Sequence, residues 1–329
     1  MSKQMKAAVF YQYGSPDVIR IAEVEKPVTK DGEVLVQVKA ASLNAYDWHL
    51  VMADPFMIRF LNGLIKPKNN IPGADVSGVV VALGDDVTRV RIGDEVYCSL
   101  EGQAKGGIAA GGCAEYVCVK ATSVAPKVAT LSFEEAAGLP MAATTALQAV
   151  RDYAAVKKGQ QVLINGASGG VGTFAVQIAK AAGGEITGVC ATEAIELIRS
   201  LGADSIVDYT KERATHTGKR YDVILDVAAT LSVKDYRKLL KPNGICVVIG
   251  FSTMRHVFDY KVAREIDGKK IVLCVAKNNE NAALLDLNKL VESGQLKTVI
   301  DSRFSLEDTS KALHHAVSGH PKGKIVIVP

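Results

Sequence analysis

The first third of the chain alternates hydrophobic and polar residues in short runs. Strands are predicted over residues 7–10, 19–24, 34–41, 76–83 and 95–99, and glycine, proline and aspartate residues separate them. Many short strands with closely spaced turns are typical of a partly closed β-barrel. The pattern therefore predicts a barrel-like domain in the N-terminal part of the chain.

From about residue 130 onwards, helical periodicity alternates with short apolar runs. Helices are predicted over residues 133–139 and 144–156. The strands that follow alternate with helices and are predicted over residues 161–165, 185–190, 205–208, 222–227, 244–250 and 270–275. This alternation is typical of βαβ units in a parallel sheet. Six strands with a glycine-rich turn after the first predict an α/β domain with the doubly wound strand order 3-2-1-4-5-6.

The C-terminal part returns to a mixed pattern. Helices are predicted near 280–294 and 307–317, and strands near 298–300 and 324–328. We therefore expect the doubly wound domain to be inserted into the barrel-like domain. The predicted boundaries are 1–123 with 277–329 for the barrel-like domain and 124–276 for the doubly wound domain.

A glycine-rich turn follows the first of the six strands and opens the next predicted helix. It consists of Ala167, Ser168, Gly169, Gly170, Val171 and Gly172. Strand, glycine turn and helix in this order are typical of a dinucleotide site. Gly169 lets the backbone approach a pyrophosphate, Gly172 lets the helix pack closely on the strand, and the first N–H groups of the helix face the phosphates. A plain strand-to-helix turn is the alternative, because Ala167 replaces the first glycine of the motif.

Composition and charge narrow the class of protein. The net charge of the 329 residues is +4, without a basic block, so nucleic acid is not indicated as a partner. The six cysteines include no C-x-x-C pair and are expected to be buried in a reducing compartment. The chain shows no signal-peptide pattern and no apolar run near the roughly 18 residues of a membrane helix. A cytoplasmic protein without a membrane span is therefore expected.

Seven segments carry a distinctive set of residues in a fixed order. They are Ser-Leu-Asn-Ala-Tyr-Asp-Trp at 42–48, Ile-Pro-Gly-Ala-Asp-Val-Ser-Gly at 71–78, Gly-Asp-Glu-Val-Tyr at 93–97, Ala-Glu-Tyr-Val at 114–117, Thr-Ala-Leu-Gln-Ala at 145–149, Leu-Gly-Ala-Asp at 201–204 and Gly-Lys-Ile-Val at 323–326. Together they resemble the zinc-independent quinone oxidoreductases of the medium-chain dehydrogenase/reductase superfamily, over nearly the whole chain. The resemblance implies an α/β fold with a GroES-like, partly open β-barrel domain and a Rossmann domain with a six-stranded parallel sheet.

The same resemblance bears on metal binding. Zinc-dependent relatives use a cysteine, a histidine and a second cysteine as zinc ligands, and the corresponding positions here hold Asn44, Ala74 and Met141. The four-cysteine lobe of a structural zinc is missing as well, since the loop after Cys98 contains Cys113 alone. We therefore expect no zinc. Without a Lewis acid, direct oxidation of an alcohol is disfavoured, because nothing stabilises the alkoxide.

The reaction that remains is hydride transfer from a reduced nicotinamide to an electron-poor acceptor. The small-molecule substrate is then a quinone or an α,β-unsaturated carbonyl. The resemblance implies that Asn44, Tyr46, Asp47 and Trp48 lie by the nicotinamide and the substrate. Tyr46 is the candidate hydrogen-bond donor to a developing enolate or phenolate. The alternatives are that Tyr46 and Trp48 only line the site, that water supplies the proton, and that Asn44 caps local backbone. Thr145 resembles a family threonine beside the nicotinamide and ribose, and a hydroxyl satisfied within its helix is the alternative.

The second strand of the Rossmann domain governs the choice of coenzyme. An NAD site has an acidic residue at the end of this strand, where the resemblance places Cys190, so NADP(H) is preferred. The residues expected around the adenosine ribose and its phosphate are Cys190, Thr192, Tyr209, and Lys322 or His320. Glu193 departs from the family pattern of arginine or lysine and would repel a phosphate unless it points to solvent. NAD(H) is therefore kept as the alternative.

The resemblance also implies a homodimer, because relatives usually dimerise by pairing the last Rossmann strand, here 271–275. A different class of function stays open, namely a nicotinamide-nucleotide-binding protein with little turnover and a redox-sensing, structural or RNA-binding role. A metal-free alcohol or aldehyde reductase is a second enzymatic alternative. An assay that follows NADPH oxidation with quinones, enones and saturated aldehydes distinguishes these possibilities.

Overall fold

The structure of the protein is a computed structural model that describes residues 3–102, 110–250, 265–266, 268–277, 281–319 and 321–329. Contacts divide the chain into two compact units. Unit 1 comprises Met1–Met141, Asn278–Glu292 and Thr298–Pro329, and unit 2 comprises Ala142–Lys277 and Ser293–Lys297. The domain boundaries at 123/124 and 276/277 stay a prediction. No helix among the described residues is long and apolar enough to cross a membrane.

The strands of the described residues follow one another along the chain. They are β1 Gln4–Val9, β2 Arg20–Glu25, β3 Glu33–Leu43, β4 Asp75–Leu83, β5 Glu95–Ser99, β6 Tyr116–Lys120, β7 Ala125–Pro126, β8 Gln161–Asn165, β9 Glu185–Cys190, β10 Ser205–Asp208, β11 Tyr221–Asp226, β12 Leu240–Ile249, β13 Glu265–Ile266, β14 Lys269–Cys274, β15 Ile300–Ser305 and β16 Lys324–Val328.

The helices are α1 Ala45–Met52, α2 Ile58–Asn62, α3 Phe133–Ala137, α4 Pro140–Gln148, α5 Gly170–Ala181, α6 Ile195–Ser200, α7 Val233–Leu239, α8 Asn281–Glu292 and α9 Thr309–Val317.

Unit 1 is built on a seven-stranded sheet with the order β15-β16-β3-β4-β5-β7, in which β6 also pairs with β3. Strand β3 lies at its centre and pairs antiparallel with β16, β4 and β6. Alternate residues of β3, Val34, Val36 and Val38, enter a core that also contains Leu50 of α1 and Leu313 of α9. This is the partly open β-barrel of the GroES-like fold.

Unit 2 contains the predicted doubly wound sheet, with the order β10-β9-β8-β11-β12-β14. These six strands are mutually parallel, and β13 adds a short antiparallel partner to β14. Val162, Leu163 and Ile164 of β8 are fully buried, as expected for a strand covered on both faces. The order corresponds to 3-2-1-4-5-6. β9 and β10 lie on one side of β8, and β11, β12 and β14 lie on the other, so the order in which strands are added switches sides between β8 and β11.

The predicted strands 161–165, 185–190 and 205–208 have the observed bounds, whereas the strand predicted near 298–300 begins and ends later along the chain. The strand there is β15, Ile300–Ser305, whose sequence Ile-Asp-Ser-Arg-Phe-Ser is largely polar. It pairs with β16 at the edge of the sheet and buries little apolar surface. A polar edge strand therefore gives almost no hydrophobic signal in the sequence.

Candidate functional site

The candidate catalytic segment begins where β3 ends and helix α1 starts. Asn44 is the residue before the first helical turn, with an extended backbone (φ −123°, ψ 168°), and the Asp47 carboxylate accepts its backbone N–H at 2.7 Å. A carboxylate three residues into a helix stabilises the unpaired N–H groups at the helix start. The sequence Asn-Ala-Tyr-Asp thus fixes the direction in which α1 leaves the barrel.

Asp47 is fully buried, and both of its oxygens accept backbone N–H groups. The second donor is Gly73, at 2.8 Å. Gly73 adopts φ 98°, and a Cβ there would lie 2.6 Å from the backbone nitrogen of Cys113, so only glycine fits. Asp47 therefore holds α1 against the segment that leads into β4, which makes it a positioning residue rather than a group directed at a ligand.

Asp75 opens β4 and is the second buried carboxylate of this region. It accepts hydrogen bonds from the side-chain amide of Asn44 at 2.9 Å and from the backbone N–H of Met141 at 3.2 Å. Strand pairing places Asp75 opposite Ser42 of β3 and Ser99 of β5. The sheet register thus brings three distant parts of the sequence to one carboxylate.

Lys324 supplies the positive charge of this cluster. Its ammonium group is buried and donates to the side-chain oxygen of Asn44 at 2.5 Å and to the backbone carbonyl of Leu43 at 3.2 Å. Lys324 begins β16, and the preceding Gly323 has φ 123° with no room for a Cβ against the Val299 carbonyl. We call Asn44, Asp47, Asp75 and Lys324 the buried polar cluster.

Burial sets the acid–base properties of the buried polar cluster. It raises the pKa of Asp47 to about 7 and that of Asp75 to about 6, and the Lys324 charge partly opposes both shifts. The pKa of Lys324 is lowered, again because burial disfavours the charged form, with Asp75 and Asp47 acting in the opposite direction. The charge of the cluster therefore changes near neutral pH.

The positions that would hold a catalytic zinc do not offer a zinc donor set. Ala74 has no donor atom in its side chain, and the side-chain oxygen and nitrogen of Asn44 are bonded to Lys324 and Asp75. Among the described residues, no group of three or more His, Cys, Asp and Glu side chains is arranged to hold a metal ion. A buried ammonium beside Asn44 also repels a second cation.

Tyr46 and Trp48 lie on α1 with Asp47 and are both half-buried against the barrel core. Trp48 stacks on His49 with the ring centroids 3.6 Å apart, and His49 Nδ1 is hydrogen-bonded to the backbone carbonyl of Asp54. Burial lowers the pKa of His49. The helix thus presents two aromatic rings next to the buried polar cluster.

The glycine-rich turn of unit 2 joins β8 to α5 in the predicted manner. The helix begins at Gly170, and Gly169 precedes it with an extended backbone (φ −74°, ψ 175°). Ala167 is buried, and its N–H bonds to the Val189 carbonyl of β9 at 3.0 Å. The first N–H groups of α5 lack partners within the helix and face the turn, which is the arrangement that binds phosphate.

The space around each glycine shows which of them the turn requires. A Cβ on Gly172 would lie 2.0 Å from the Gly166 carbonyl oxygen, whereas a Cβ on Gly169 would be no closer than 3.7 Å to it. Gly166 itself has φ 81° and would clash with Ala228. Gly172 and Gly166 are therefore structural, while the open side of Gly169 is a cradle that a Cβ would fill. These residues fit the pyrophosphate of a dinucleotide.

The carboxyl ends of β9 and β10 form the neighbouring part of this site. Cys190 is buried, and burial raises its pKa to about 11, so the thiol carries no charge at neutral pH. Asp208 of β10 lies opposite Cys190 of β9 in the sheet. Sequence reasoning did not identify Asp208 as a residue of this site. Hydrogen bonds from Thr192 (2.5 Å) and Thr210 (2.6 Å) lower its pKa to about 2, so Asp208 is ionised there.

The remaining predicted coenzyme residues are more exposed or lie elsewhere in the chain. Tyr209 is 54% exposed after β10, and Glu193 is exposed after β9. Thr145 lies on α4 in unit 2 and is half-buried. Lys322 belongs to unit 1, where its backbone N–H bonds to Asp301 at 2.7 Å. His320 lies outside the described residues.

A second group that sequence reasoning missed lies at the carboxyl ends of β8 and β11. The Asn165 amide donates to Asp226 at 2.7 Å and to Thr230 at 2.9 Å, and the Tyr236 hydroxyl donates to Asp226 at 2.7 Å. Burial raises the pKa of Asp226. This network ties the two strands at the point where the sheet order reverses, beside the glycine-rich turn. The available signal was Asn165 at the end of one predicted strand and Asp226 next to the end of the other.

Comparison with known proteins agrees with this geometry. Residues 30–129 match the alcohol dehydrogenase GroES-like domain, and residues 201–327 match a family described as zinc-binding dehydrogenase. A chloroplastic quinone oxidoreductase of Triphysaria versicolor is 34% identical, with 99% of each chain covered. A chloroplastic NADPH-dependent alkenal/one oxidoreductase of Arabidopsis thaliana is 32% identical over 99% of this chain and 80% of its own length.

A solved structure supports the same assignment. The quinone oxidoreductase of Coxiella burnetii superposes with a TM-score of 0.86 at 31% identity, covering 99% of this chain and all of the other. The similarity thus extends through both units. The chain belongs to the quinone oxidoreductase family of the medium-chain dehydrogenase/reductase superfamily.

Proposed function

We propose that the protein is an NADPH-dependent reductase of quinones or α,β-unsaturated carbonyls that works without zinc. The observation that carries the proposal is the presence in one chain of a dinucleotide turn and of Asn44 at a zinc-ligand position, where its amide is bonded to Asp75 and Lys324. Such a protein keeps the hydride donor but has no Lewis acid for an alkoxide. Acceptors that delocalise the developing negative charge are therefore favoured.

The glycine-rich turn would hold the pyrophosphate of NADPH, with Gly169 open to it and the start of α5 supplying N–H donors. When bound, the reduced nicotinamide supplies a hydride. Thr145 is proposed to lie by the nicotinamide and ribose, and Tyr209 and Lys322 by the 2′-phosphate. The uncharged thiol of Cys190 supports NADPH, because an acid at this position would repel the phosphate. Asp208, opposite Cys190, is ionised, and its charge is offset by the Lys211 ammonium at 3.4 Å.

Tyr46 is proposed to donate a hydrogen bond to the oxygen of the acceptor as negative charge develops on it. Trp48 is proposed to pack against the acceptor ring, and Asn44 to orient the ligand through the parts of its amide that Lys324 and Asp75 leave open. Asp47 contributes by holding α1, which carries both aromatic residues. These roles rest on the resemblance and on the geometry of α1.

The test follows NADPH oxidation at 340 nm with purified protein and a panel of quinones, 2-alkenals and saturated aldehydes, with zinc content measured on the same sample. Turnover of quinones or 2-alkenals by metal-free protein supports the proposal. Turnover confined to saturated aldehydes, or activity that depends on added zinc, contradicts it. NADPH binding without turnover of any acceptor would identify a binding protein instead.

Two finer features are part of the proposal. A homodimer would form along the outer edge of β14, since among the described residues β13 covers only Lys269 and Lys270 of that strand. Light scattering coupled to size-exclusion chromatography measures the oligomeric state directly.

The cytoplasmic location stays a prediction, and the two curated relatives compared above are chloroplastic.

A further inference from the structure

Six large apolar side chains are exposed on the short segment that follows α1. Their exposed fractions range from 55% to 84%, and all six lie between residues 56 and 65. We call them the apolar loop surface: Phe56, Met57, Phe60, Leu61, Leu64 and Ile65. The other exposed apolar residues of the described chain, such as Val28 and Ile92, are far apart in sequence. Single exposed apolar residues are ordinary, whereas a contiguous patch marks an interaction site.

The fold holds this loop in its exposed position. Asn62, at the end of α2, is fully buried, and its side chain accepts the backbone N–H of Asn69 at 2.8 Å and donates to the Asn69 carbonyl at 3.1 Å. The Lys68 N–H bonds to the Asn62 carbonyl, and the Tyr13 hydroxyl bonds to the Gly63 carbonyl at 2.8 Å. These bonds close the base of the loop, so Leu64 and Ile65 lie at its tip.

The charges within the segment that carries the apolar loop surface are all positive, and the exposed Asp54 lies just before it. Arg59, Lys66 and Lys68 lie within or beside it, and no aspartate or glutamate occurs between residues 55 and 74. Both lysines are exposed. The Arg59 guanidinium lies over the ring of Tyr13 at 4.7 Å and over that of Phe56 at 5.3 Å. The loop therefore presents aromatic and aliphatic side chains within a basic rim.

We propose that the apolar loop surface docks the protein on a lipid bilayer with anionic headgroups. Aromatic and aliphatic side chains flanked by lysine and arginine bind at the membrane interface, where the apolar groups enter the acyl boundary and the cations pair with headgroups. A second copy of the chain fits less well, because a two-fold contact would bring three cations of each copy together with Asp54 as the one carboxylate beside them in the sequence.

Docking goes beyond the proposed reaction and does not depend on it. Helix α1, with Tyr46 and Trp48, ends only a few residues before the loop, so docking would bring these aromatic residues close to the bilayer. Acceptors dissolved in lipid would then be at high local concentration. A reductase of lipophilic molecules gains from this arrangement, and a protein without turnover would dock in the same way.

The experiment measures cosedimentation of the purified full-length protein with extruded vesicles. One set is phosphatidylcholine alone, and the other contains 30% phosphatidylserine. We expect binding to the anionic vesicles that weakens as salt is raised. The double variant Leu64→Ser/Ile65→Ser should lower the affinity at least tenfold, and Lys66→Gln/Lys68→Gln should lower it about 25-fold, at about fivefold per lysine.

A matched control is Val28→Ser/Ile92→Ser, which removes two exposed apolar side chains elsewhere and should bind as the unchanged protein does. Because all six substituted residues are exposed, thermal unfolding of each variant should be unaltered. The proposal is overturned if the unchanged protein sediments with neither vesicle, or if Leu64→Ser/Ile65→Ser binds normally. It is also overturned if that variant alters the oligomeric mass in light scattering, since the surface would then join two copies of the chain.

Discussion

The ammonium group of Lys324 donates a hydrogen bond of 2.5 Å to the side-chain oxygen of Asn44. By the resemblance, Asn44 takes the place of a zinc-ligating cysteine of the metal-dependent relatives, and a cation of the polypeptide itself lies beside it. The same ammonium group offsets the charges of Asp75 and Asp47. The fold thus contains a buried cation of its own, which does not have to bind from solution.

Lys324→Met should destabilise unit 1 strongly, because the variant leaves two buried carboxyl groups without a cation. Removing one partner of a buried ion pair costs about 3–5 kcal/mol. The loss should be larger at pH 8 than at pH 5, since the raised pKa values of Asp47 and Asp75 let both carboxyl groups become neutral in acid. Urea unfolding followed by the fluorescence of Trp48, the single tryptophan of the chain, reports on unit 1.

The matched control is Lys289→Met, which breaks the exposed pair between Lys289 and Asp286. Exposed pairs contribute about 0–1 kcal/mol, so this variant should unfold almost as the unchanged protein does. Equal midpoints for the two variants would contradict the role given to Lys324.

The stability of unit 1 should fall as the pH rises from about 4 to about 7. The folded pKa of Asp47 is about 7 and lies above the ordinary aspartate value of 3.8, so in this window the folded state binds more protons than the unfolded state. The free energy of unfolding then decreases with pH. Asp75 acts in the same direction up to about pH 6.

Asp47→Asn should make this decrease shallower, above all between pH 6 and 7, where Asp47 is the main group of the buried polar cluster that still titrates. The slope of the Trp48 unfolding midpoint against pH is the measurement, because the substitution also shifts the midpoint itself through its two backbone hydrogen bonds. An unchanged slope would show that Asp47 is ionised throughout this range.

The two glycines of the dinucleotide turn should respond differently to alanine. Gly172→Ala forces a Cβ against the Gly166 carbonyl and should destabilise unit 2 by about 1–3 kcal/mol or more, seen as a lower thermal midpoint in circular dichroism. Gly169→Ala meets no close atom and should unfold normally, yet raise the Kd for NADPH about tenfold or more. Normal NADPH binding by Gly169→Ala would place the pyrophosphate elsewhere.

Glu193→Arg should raise the preference for NADPH over NADH about tenfold, measured as the ratio of the two kcat/KM values. The substitution replaces a negative charge by a positive one near the proposed 2′-phosphate, next to Cys190. Glu185→Arg makes the same change in charge at the opposite end of β9 and serves as the control. If both variants shift the ratio equally, the effect comes from overall charge and not from the site.

Tyr46→Phe should lower kcat about 10²-fold with quinone or enone acceptors, because it removes one donor to the developing negative charge. The Kd for NADPH should stay the same. Tyr11→Phe, on an exposed tyrosine outside the proposed site, is the control. Full activity of Tyr46→Phe would assign protonation of the acceptor to water.

The glycine-rich turn and the strands around it were predictable because their signal is local. β8, β9 and β10 are short apolar runs next to turn residues, and the motif lies within six residues. Lys324 could not be placed in the same way. It is 280 residues from Asn44, and only the pairing of β16 with β3 brings the two together.

Asp208 was missed for a related reason. It ends β10 and reaches the coenzyme region only because β10 lies parallel to β9. Its ionisation depends on the hydroxyl groups of Thr192 and Thr210, which a pattern of hydrophobic residues does not report. Contacts between neighbouring strands therefore account for most of what sequence reasoning could not supply.

The pairing of β16 with β3 also sets an order of assembly during synthesis. Strand β3 is made early during synthesis. Its residues 41–43 pair with β16, and the Asn44 oxygen bonds to Lys324, only after the nearly three hundred residues that separate them have been made. Unit 2 is translated in between and can complete its own sheet first, since domains tend to fold as units while the chain emerges. Unit 1 would then stay incomplete until β16 is made, and chains that stop before β16 would leave residues 41–43 of β3 unpaired on the edge that β16 covers and open to chaperones and proteases.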